Sequence, residues 1–112
     1  MSSLNYSGMK TIGTILRELR EKNGKLLREV AAAVEMDSTL LSKIEREDRL
    51  PTKELVERLA EYYKVDINNL MTAWLSDRIV NDLRNEKMAL RAMKLAEEKI
   101  KTASSTKSNN KI

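Results

Sequence analysis

The chain has 112 residues, 41% of them hydrophobic, and a formal net charge of +4, so we expect one modest core with appendages. It contains no Cys and no His, which excludes disulfides, thiolate nucleophiles, most zinc sites and His-dependent triads. No apolar run approaches membrane-spanning length and the first ten residues do not resemble a signal peptide, so a cytoplasmic protein without metal or cofactor is expected.

The first predicted helix spans Ile12 to Lys22. Asn23-Gly24 can end it, and its apolar residues fall on one face: Ile12, Ile15, Leu16 and Leu19. From Lys10 to Arg28 the chain has six Lys and Arg against two Glu. We prefer a phosphate-facing surface to a merely solvated helix surface, because the motif that follows gives a reason for DNA to lie there.

The segment LREVAAAVEMDSTLLSKIERED, residues 27–48, has the pattern of two crossed helices joined by a tight turn. Val30 and Val34 are four apart, and Leu41 and Ile44 are three apart, so each helix has one apolar stripe. Ala31 is small enough to let the second helix cross closely. Asp37 is a good N-cap, so the second helix is predicted to start near Ser38. The pattern predicts a helix-turn-helix.

Any two short amphipathic helices give such spacing, so the exposed face of the second helix decides between a bundle and a DNA-binding motif. With Leu41 and Ile44 inward, no acidic side chain projects outward before Glu45. The outward residues are short and polar apart from one cation: Ser38, Thr39, Ser42 and Lys43. Such a face can approach base edges in the major groove.

Two further helices are predicted after a break at residues 49–52. Thr52 can cap a helix whose apolar residues recur at helical spacing, namely Leu55, Val56, Leu59, Ala60 and Tyr63. Asp66 offers the next cap, before Ile67 and Leu70. The expected fold is therefore all-α, a five-helix DNA-binding domain over residues 11–71, with a C-terminal helical extension.

The segments IGTILRELREKNG, LREVAAAV, DSTLLSKIER and PTKELVERLAEYYKVDINNLM together resemble the phage-repressor-like (Xre-type, Cro/C1-type) helix-turn-helix regulators, from about Ile12 to Leu70. The resemblance implies base contacts by Ser38, Thr39 and Lys43. It also implies a structural ion pair between Arg20 and Glu45. Phosphate contacts would fall on the start of the first motif helix and on residues in and after the second: Leu27, Arg28, Arg46, Arg49 and Lys53.

Three residues depart from the family pattern. Leu27 stands where many members have a Gln that holds a phosphate. Glu35 stands where Gly is common, and a left-handed backbone there would cost roughly 1 kcal/mol, so replacement by Gly should stabilise the fold. Glu47 replaces another frequent Gly, and with Asp48 it places negative charge beside the expected DNA surface.

Residues 72–101 are predicted to form a helical hairpin, because apolar residues recur at helical spacing on both sides of a possible cap at Asn85. Self-association of this hairpin is our preferred interpretation, and packing against the chain's own domain is the alternative. The expected dimer interface contains Trp74, Leu75, Ile79, Leu83 and Met93. Residues 1–10 and 102–112 are expected to be a flexible N-terminus and a disordered tail.

The preferred function is sequence-specific binding of double-stranded DNA by a homodimeric transcriptional regulator on an inverted-repeat operator. A repressor and a controller of a restriction-modification operon both fit. An antitoxin, whose C-terminal helices bind a partner protein while the helix-turn-helix autoregulates, is the alternative. Catalysis is not expected, because the acidic residues are mostly interleaved with Lys and Arg on helix surfaces and no nucleophile is paired with a base.

Overall fold

The computed structural model describes residues 9–109, and the side chains of residues 9–104. Within this range the chain forms six helices and no strand, which confirms the all-α prediction. The helices are α1 (Ile12–Lys22), α2 (Leu27–Ala33), α3 (Ser38–Glu45), α4 (Lys53–Tyr63), α5 (Ile67–Leu83) and α6 (Ala89–Asn109).

Short polar side chains cap the starts of α3, α4 and α5, because the first amides of a helix have no partner within it. The carboxylate of Asp37 accepts from the Leu40 amide at 3.1 Å, which starts α3 at Ser38 as predicted. Thr52 accepts from the Leu55 amide at 3.2 Å and starts α4. The side chain of Asp66 accepts from the Asn68 amide at 2.9 Å at the start of α5.

The chain divides into two compact units, Met1–Ile79 and Val80–Ile112. The first unit contains the hydrophobic core, to which each of α1 to α5 contributes. The core residues are Ile12, Leu16, Val30, Ala31, Val34, Leu41, Ile44, Leu55, Val56, Leu59, Ala60, Leu70 and Trp74.

Helix α5 continues past Met71, the expected end of the DNA-binding domain, to Leu83. Trp74 is only 7% exposed, its indole N–H donates to the Pro51 carbonyl oxygen at 2.7 Å, and the Arg78 guanidinium lies 4.9 Å from its ring. This burial corrects the expectation that Trp74 lies in a dimer interface. The physical reason is that Trp74 is one helical turn after Leu70 and continues the same buried face.

Asp77 joins α5 to the start of α1. Its Oδ2 atom accepts from the Ile12 amide at 2.7 Å, across 65 residues of sequence. Burial raises the pKa of the Asp77 carboxyl above its ordinary value of 3.8, and the hydrogen bond from Ile12 opposes that rise. The first turn of α1 is therefore capped by a residue beyond the expected domain end.

Helix α6 makes up most of the second unit, and its large apolar side chains are exposed. It continues to Asn109, although a disordered tail was expected from residue 102. Extending an existing helix costs far less than starting one, which explains how Ser- and Thr-rich residues can join it. Residues 1–8 and 110–112, the remaining parts of the two expected flexible ends, lie outside the described residues.

Gly13 allows α1 to pass close to the end of α3. A Cβ atom at this buried position would meet the Ile44 carbonyl oxygen far inside van der Waals contact. One residue later, the Thr14 hydroxyl donates to the Glu47 carboxylate at 3.0 Å. The first turn of α1 thus fixes the position of the last turn of α3.

The turn between α2 and α3 has the left-handed backbone that was expected at Glu35, with φ of 57°. Glu47, after α3, has φ of 70°. Both are positions where a side chain adds steric cost that Gly does not.

Replacing Glu35 with Gly is expected to raise the free energy of unfolding by about 1 kcal/mol, because it removes the left-handed penalty. The matched control is Glu35→Ala, which removes the same carboxylate but keeps the Cβ atom. Urea denaturation of the three proteins measures the difference. Equal stability of the Gly and Ala variants would show that backbone strain at residue 35 is negligible.

Replacing Asp77 with Asn tests the raised pKa of this carboxyl, because the amide oxygen of Asn still accepts from Ile12 but does not ionise. The folded-state pKa of Asp77 is raised, so its stabilising contribution is complete below pH 3.8 and is lost as the pH rises through the folded-state pKa. Wild type should therefore lose stability relative to Asp77→Asn as the pH rises across that window. Denaturation midpoints at several pH values measure this, and a constant difference would contradict it.

Candidate nucleic-acid interface

Helices α2 and α3 pack through the stripes expected for a helix-turn-helix. Val30 and Leu41 have no exposed surface, and Ala31 and Ile44 are 2% and 1% exposed. The connecting turn is closed by the Met36 amide, which donates to the Ala31 carbonyl oxygen at 2.9 Å. The first unit therefore holds α3 with one face buried and the opposite face in solvent.

Arg58, on α4, completes this turn and was not singled out in the sequence. Its Nη1 atom donates to the Val34 carbonyl oxygen at 2.7 Å, and so satisfies an acceptor that the end of α2 leaves open. Its Nη2 atom lies 3.4 Å from Glu54. Because Val34 precedes Arg58 by 24 residues, no local sequence pattern predicts this contact.

The solvent-facing side of α3 contains the residues predicted to contact bases. Ser38, Thr39 and Lys43 are exposed, whereas Ser42 is partly buried. Ser42 therefore projects less far than the other three. Two hydroxyls and one ammonium group can donate to base acceptors, and the hydroxyls can also accept.

The residues expected to contact phosphates surround this face. Arg28, Arg46, Arg49 and Lys53 are exposed, and Leu27 is partly buried. The Nε atom of Arg46 lies 3.6 Å from the Asp48 carboxylate, and both side chains are more than half exposed. Water screens such a pair strongly, so Arg46 can still turn toward a phosphate.

The N-terminal end of α2 is already occupied by a carboxylate from the same helix. The Glu29 side chain accepts from the Leu26 amide at 2.8 Å, which favours the local helix but opposes an incoming phosphate. Leu27 itself has no side-chain donor. Arg28 is therefore the better candidate for a phosphate contact at this end.

Glu47 and Asp48, which depart from the family pattern in charge, both have partners within the first unit. Glu47 accepts from Thr14, and Asp48 lies beside Arg46. The Asp48 amide also donates to the Lys43 carbonyl oxygen at 2.8 Å and so closes the end of α3. The backbone of Asp48 thus helps to end the helix, and both carboxylates add negative charge near the candidate surface.

Arg20 and Glu45 form the ion pair that the family resemblance implies. The Nε atom of Arg20 lies 3.0 Å from Glu45 Oε2, and Nη2 lies 3.0 Å from Oε1, a forked geometry. Glu45 is only 4% exposed. The hydrogen bond to Glu45 raises the pKa of Arg20. The pKa of Tyr63 is also raised, mainly because Tyr63 is partly buried and to a smaller extent by the negative charge of Glu45.

The residues expected in a dimer interface have different environments. Leu75, Ile79 and Met93 are 48%, 41% and 40% exposed, and Leu83 is partly buried. Trp74 belongs to the core, as described above. Leu75 and Ile79 are one turn apart on α5, on a different face from Leu70 and Trp74.

The described residues 9–109 contain no group of three or more acidic side chains arranged to hold a metal ion. Within the same part of the chain, every helix is too short or too polar to span a bilayer.

One family model, that of a helix-turn-helix domain, matches residues 11–72. This is more than half of the chain, and it runs from Thr11, the residue before α1, into the first part of α5. No curated protein is a detectable match to the sequence. The geometry of α2 and α3 and this match lead to the same assignment, and the chain belongs to the helix-turn-helix domain family.

Proposed function

We propose that the chain is a sequence-specific transcriptional regulator of the phage-repressor-like type, which binds an inverted repeat in double-stranded DNA as a homodimer. The observation that carries the proposal is the exposed face of α3, where Ser38, Thr39 and Lys43 lie in solvent within the region matched by the helix-turn-helix family. In this family of folds, the second motif helix enters the major groove.

Base selectivity would come from α3. Lys43 is the best candidate for guanine, whose N7 and O6 atoms accept hydrogen bonds in the major groove. Ser38 and Thr39 would form hydrogen bonds at the start of the helix, and the Thr39 methyl group suits contact with a thymine methyl. Arg28, Arg46, Arg49 and Lys53 would bind the phosphates on either side and so orient α3.

Self-association would use the exposed apolar residues of α5. Leu75 and Ile79 are among the large apolar side chains that remain about half exposed, although the opposite side of the helix is buried. One helix-turn-helix reads only a few base pairs. A two-fold dimer places two recognition helices about 34 Å apart, and so matches two half-sites one DNA turn apart.

Replacing Lys43 with Ala is expected to weaken binding to a cognate site by about 1 to 3 kcal/mol and to change binding to random duplex DNA little. Lys53→Ala is the matched comparison, since it removes the same charge from a residue expected to bind phosphate. That variant should lose affinity equally on both DNAs, with a shallower salt dependence. Fluorescence anisotropy titrations at several salt concentrations measure the affinity of each variant for each DNA. Equal losses for Lys43→Ala on the two DNAs would reassign Lys43 to the phosphate set.

Replacing Ile79 with Glu is expected to weaken the dimer at least tenfold, about 1.4 kcal/mol, because it places an unpaired charge in an apolar contact. Leu26→Glu is the control, since Leu26 is 49% exposed and lies outside the proposed interface. Sedimentation equilibrium measures the association constant, with a wild-type mass of twice 12.8 kDa expected. A wild-type monomer that instead purifies with a second protein would favour the antitoxin alternative.

A further inference from the structure

The two units of the chain differ sharply in net charge. The unit Met1–Ile79 contains 13 Lys and Arg and 13 Asp and Glu, so it is neutral overall. The unit Val80–Ile112 contains eight Lys and Arg against four Asp and Glu, and so accounts for the whole net charge of +4. The basic segment from Lys10 to Arg28 is balanced by acidic residues later in the same unit.

This neutrality is unusual for a unit that would bind DNA by itself. Sequence-independent attraction to DNA comes from cations that neutralise phosphates and release counterions. In the first unit, Arg20 is bound to the buried Glu45, so its guanidinium is not available to phosphates. Lys10 is 2.7 Å from Glu18, but both side chains are about half exposed, so water screens that pair.

The cations of α6 are in a different situation. Arg91, Lys94, Lys99 and Lys101 are all exposed, and the acidic residues of the helix are Glu97 and Glu98. Glu97 lies 3.6 Å from Lys101, but both side chains are about two-thirds exposed or more, so water screens this pair. After Glu98 the sequence contains four Lys and no acidic residue.

We propose that the exposed cations of α6 also bind the phosphate backbone of duplex DNA, outside the recognised bases, and add to the sequence-independent part of the affinity. The proposal rests on the DNA-binding function proposed above. α3 would select the bases, the phosphate contacts of the first unit would orient α3, and α6 would add the net positive charge that the neutral first unit lacks.

The test compares a charge-removing variant of the full chain with a charge-conserving one. The first has Arg91→Gln, Lys94→Gln, Lys99→Gln and Lys101→Gln. The second has Arg91→Lys, Lys94→Arg, Lys99→Arg and Lys101→Arg, and controls for the substitutions themselves. Circular dichroism checks that both retain the wild-type helix content. Binding to a random-sequence duplex is then measured from 50 to 200 mM salt.

Each phosphate contact contributes about 0.9 to the slope of log affinity against log salt concentration. The charge-removing variant should therefore lose about 2 to 4 from the slope, and at least tenfold in affinity at the lowest salt. The loss should be the same on a selected site as on random DNA. The charge-conserving variant should behave as wild type.

An unchanged slope in the charge-removing variant would overturn the proposal, while its continued preference for a selected site would leave the proposed function standing. A wild-type protein that binds no duplex at any salt would instead overturn the function itself. Phosphatidylserine vesicles are the third probe, since a basic amphipathic helix also suits an anionic bilayer surface. If the charge-removing variant no longer binds vesicles that wild type binds, and its salt dependence on DNA is unchanged, the cations bind membranes and the proposal is overturned.

Discussion

The forked ion pair between Arg20 and Glu45 holds the end of the recognition helix α3 against α1. Glu45 is 4% exposed, and removing one partner of a buried pair typically costs about 3 to 5 kcal/mol because the other charge is left without compensation. Arg20 also donates to the Lys25 carbonyl oxygen at 3.0 Å, so the same guanidinium fixes the loop before α2. The solvent-facing side of α3 keeps its direction because its opposite side is held in this way.

The first turn of α1 adds a second set of constraints on the same helix. Gly13 lets the backbone of α1 approach the Ile44 carbonyl oxygen, and Thr14 binds Glu47 just after α3. The carboxylate of Asp77 caps this first turn by accepting from the Ile12 amide. The indole N–H of Trp74 donates to the Pro51 carbonyl oxygen in the loop before α4. Residues beyond the family match at 72 are therefore structural parts of the first unit, and α5 has both a buried face and an exposed apolar one.

Local signals were enough to predict most of the fold. The caps at Asp37 and Thr52 and the apolar stripes of α2 and α3 depend on residues within one or two turns of each other, whereas the left-handed turn at Glu35 was expected from the family resemblance. The exposed residues of the candidate site followed from the same periodicity. The Arg20 and Glu45 pair came from the family resemblance, since 25 residues separate its partners.

Contacts between segments that are distant in sequence could not be predicted from local patterns. The sequence alone does not show why residue 13 is Gly, because the reason is the close approach of α1 to the end of α3. Apolar spacing in residues 74–83 identifies a helix but does not say which side is buried, and so Trp74 was placed in an interface although it completes the core. Asp77 and Arg58 each bind a backbone group far away in sequence. The surplus of cations from Lys10 to Arg28 does not extend over the whole first unit, because acidic residues later in that unit balance it.

In the proposed function, the exposed face of α3 reads DNA sequence and two copies of it do so together. Selection of bound duplexes from a random-sequence pool tests both parts at once. We expect enrichment of an inverted repeat whose half-sites are centred about one helical turn, roughly 10 base pairs, apart. Enrichment of a single half-site would contradict the dimer, and the absence of any enriched sequence would contradict sequence recognition by α3.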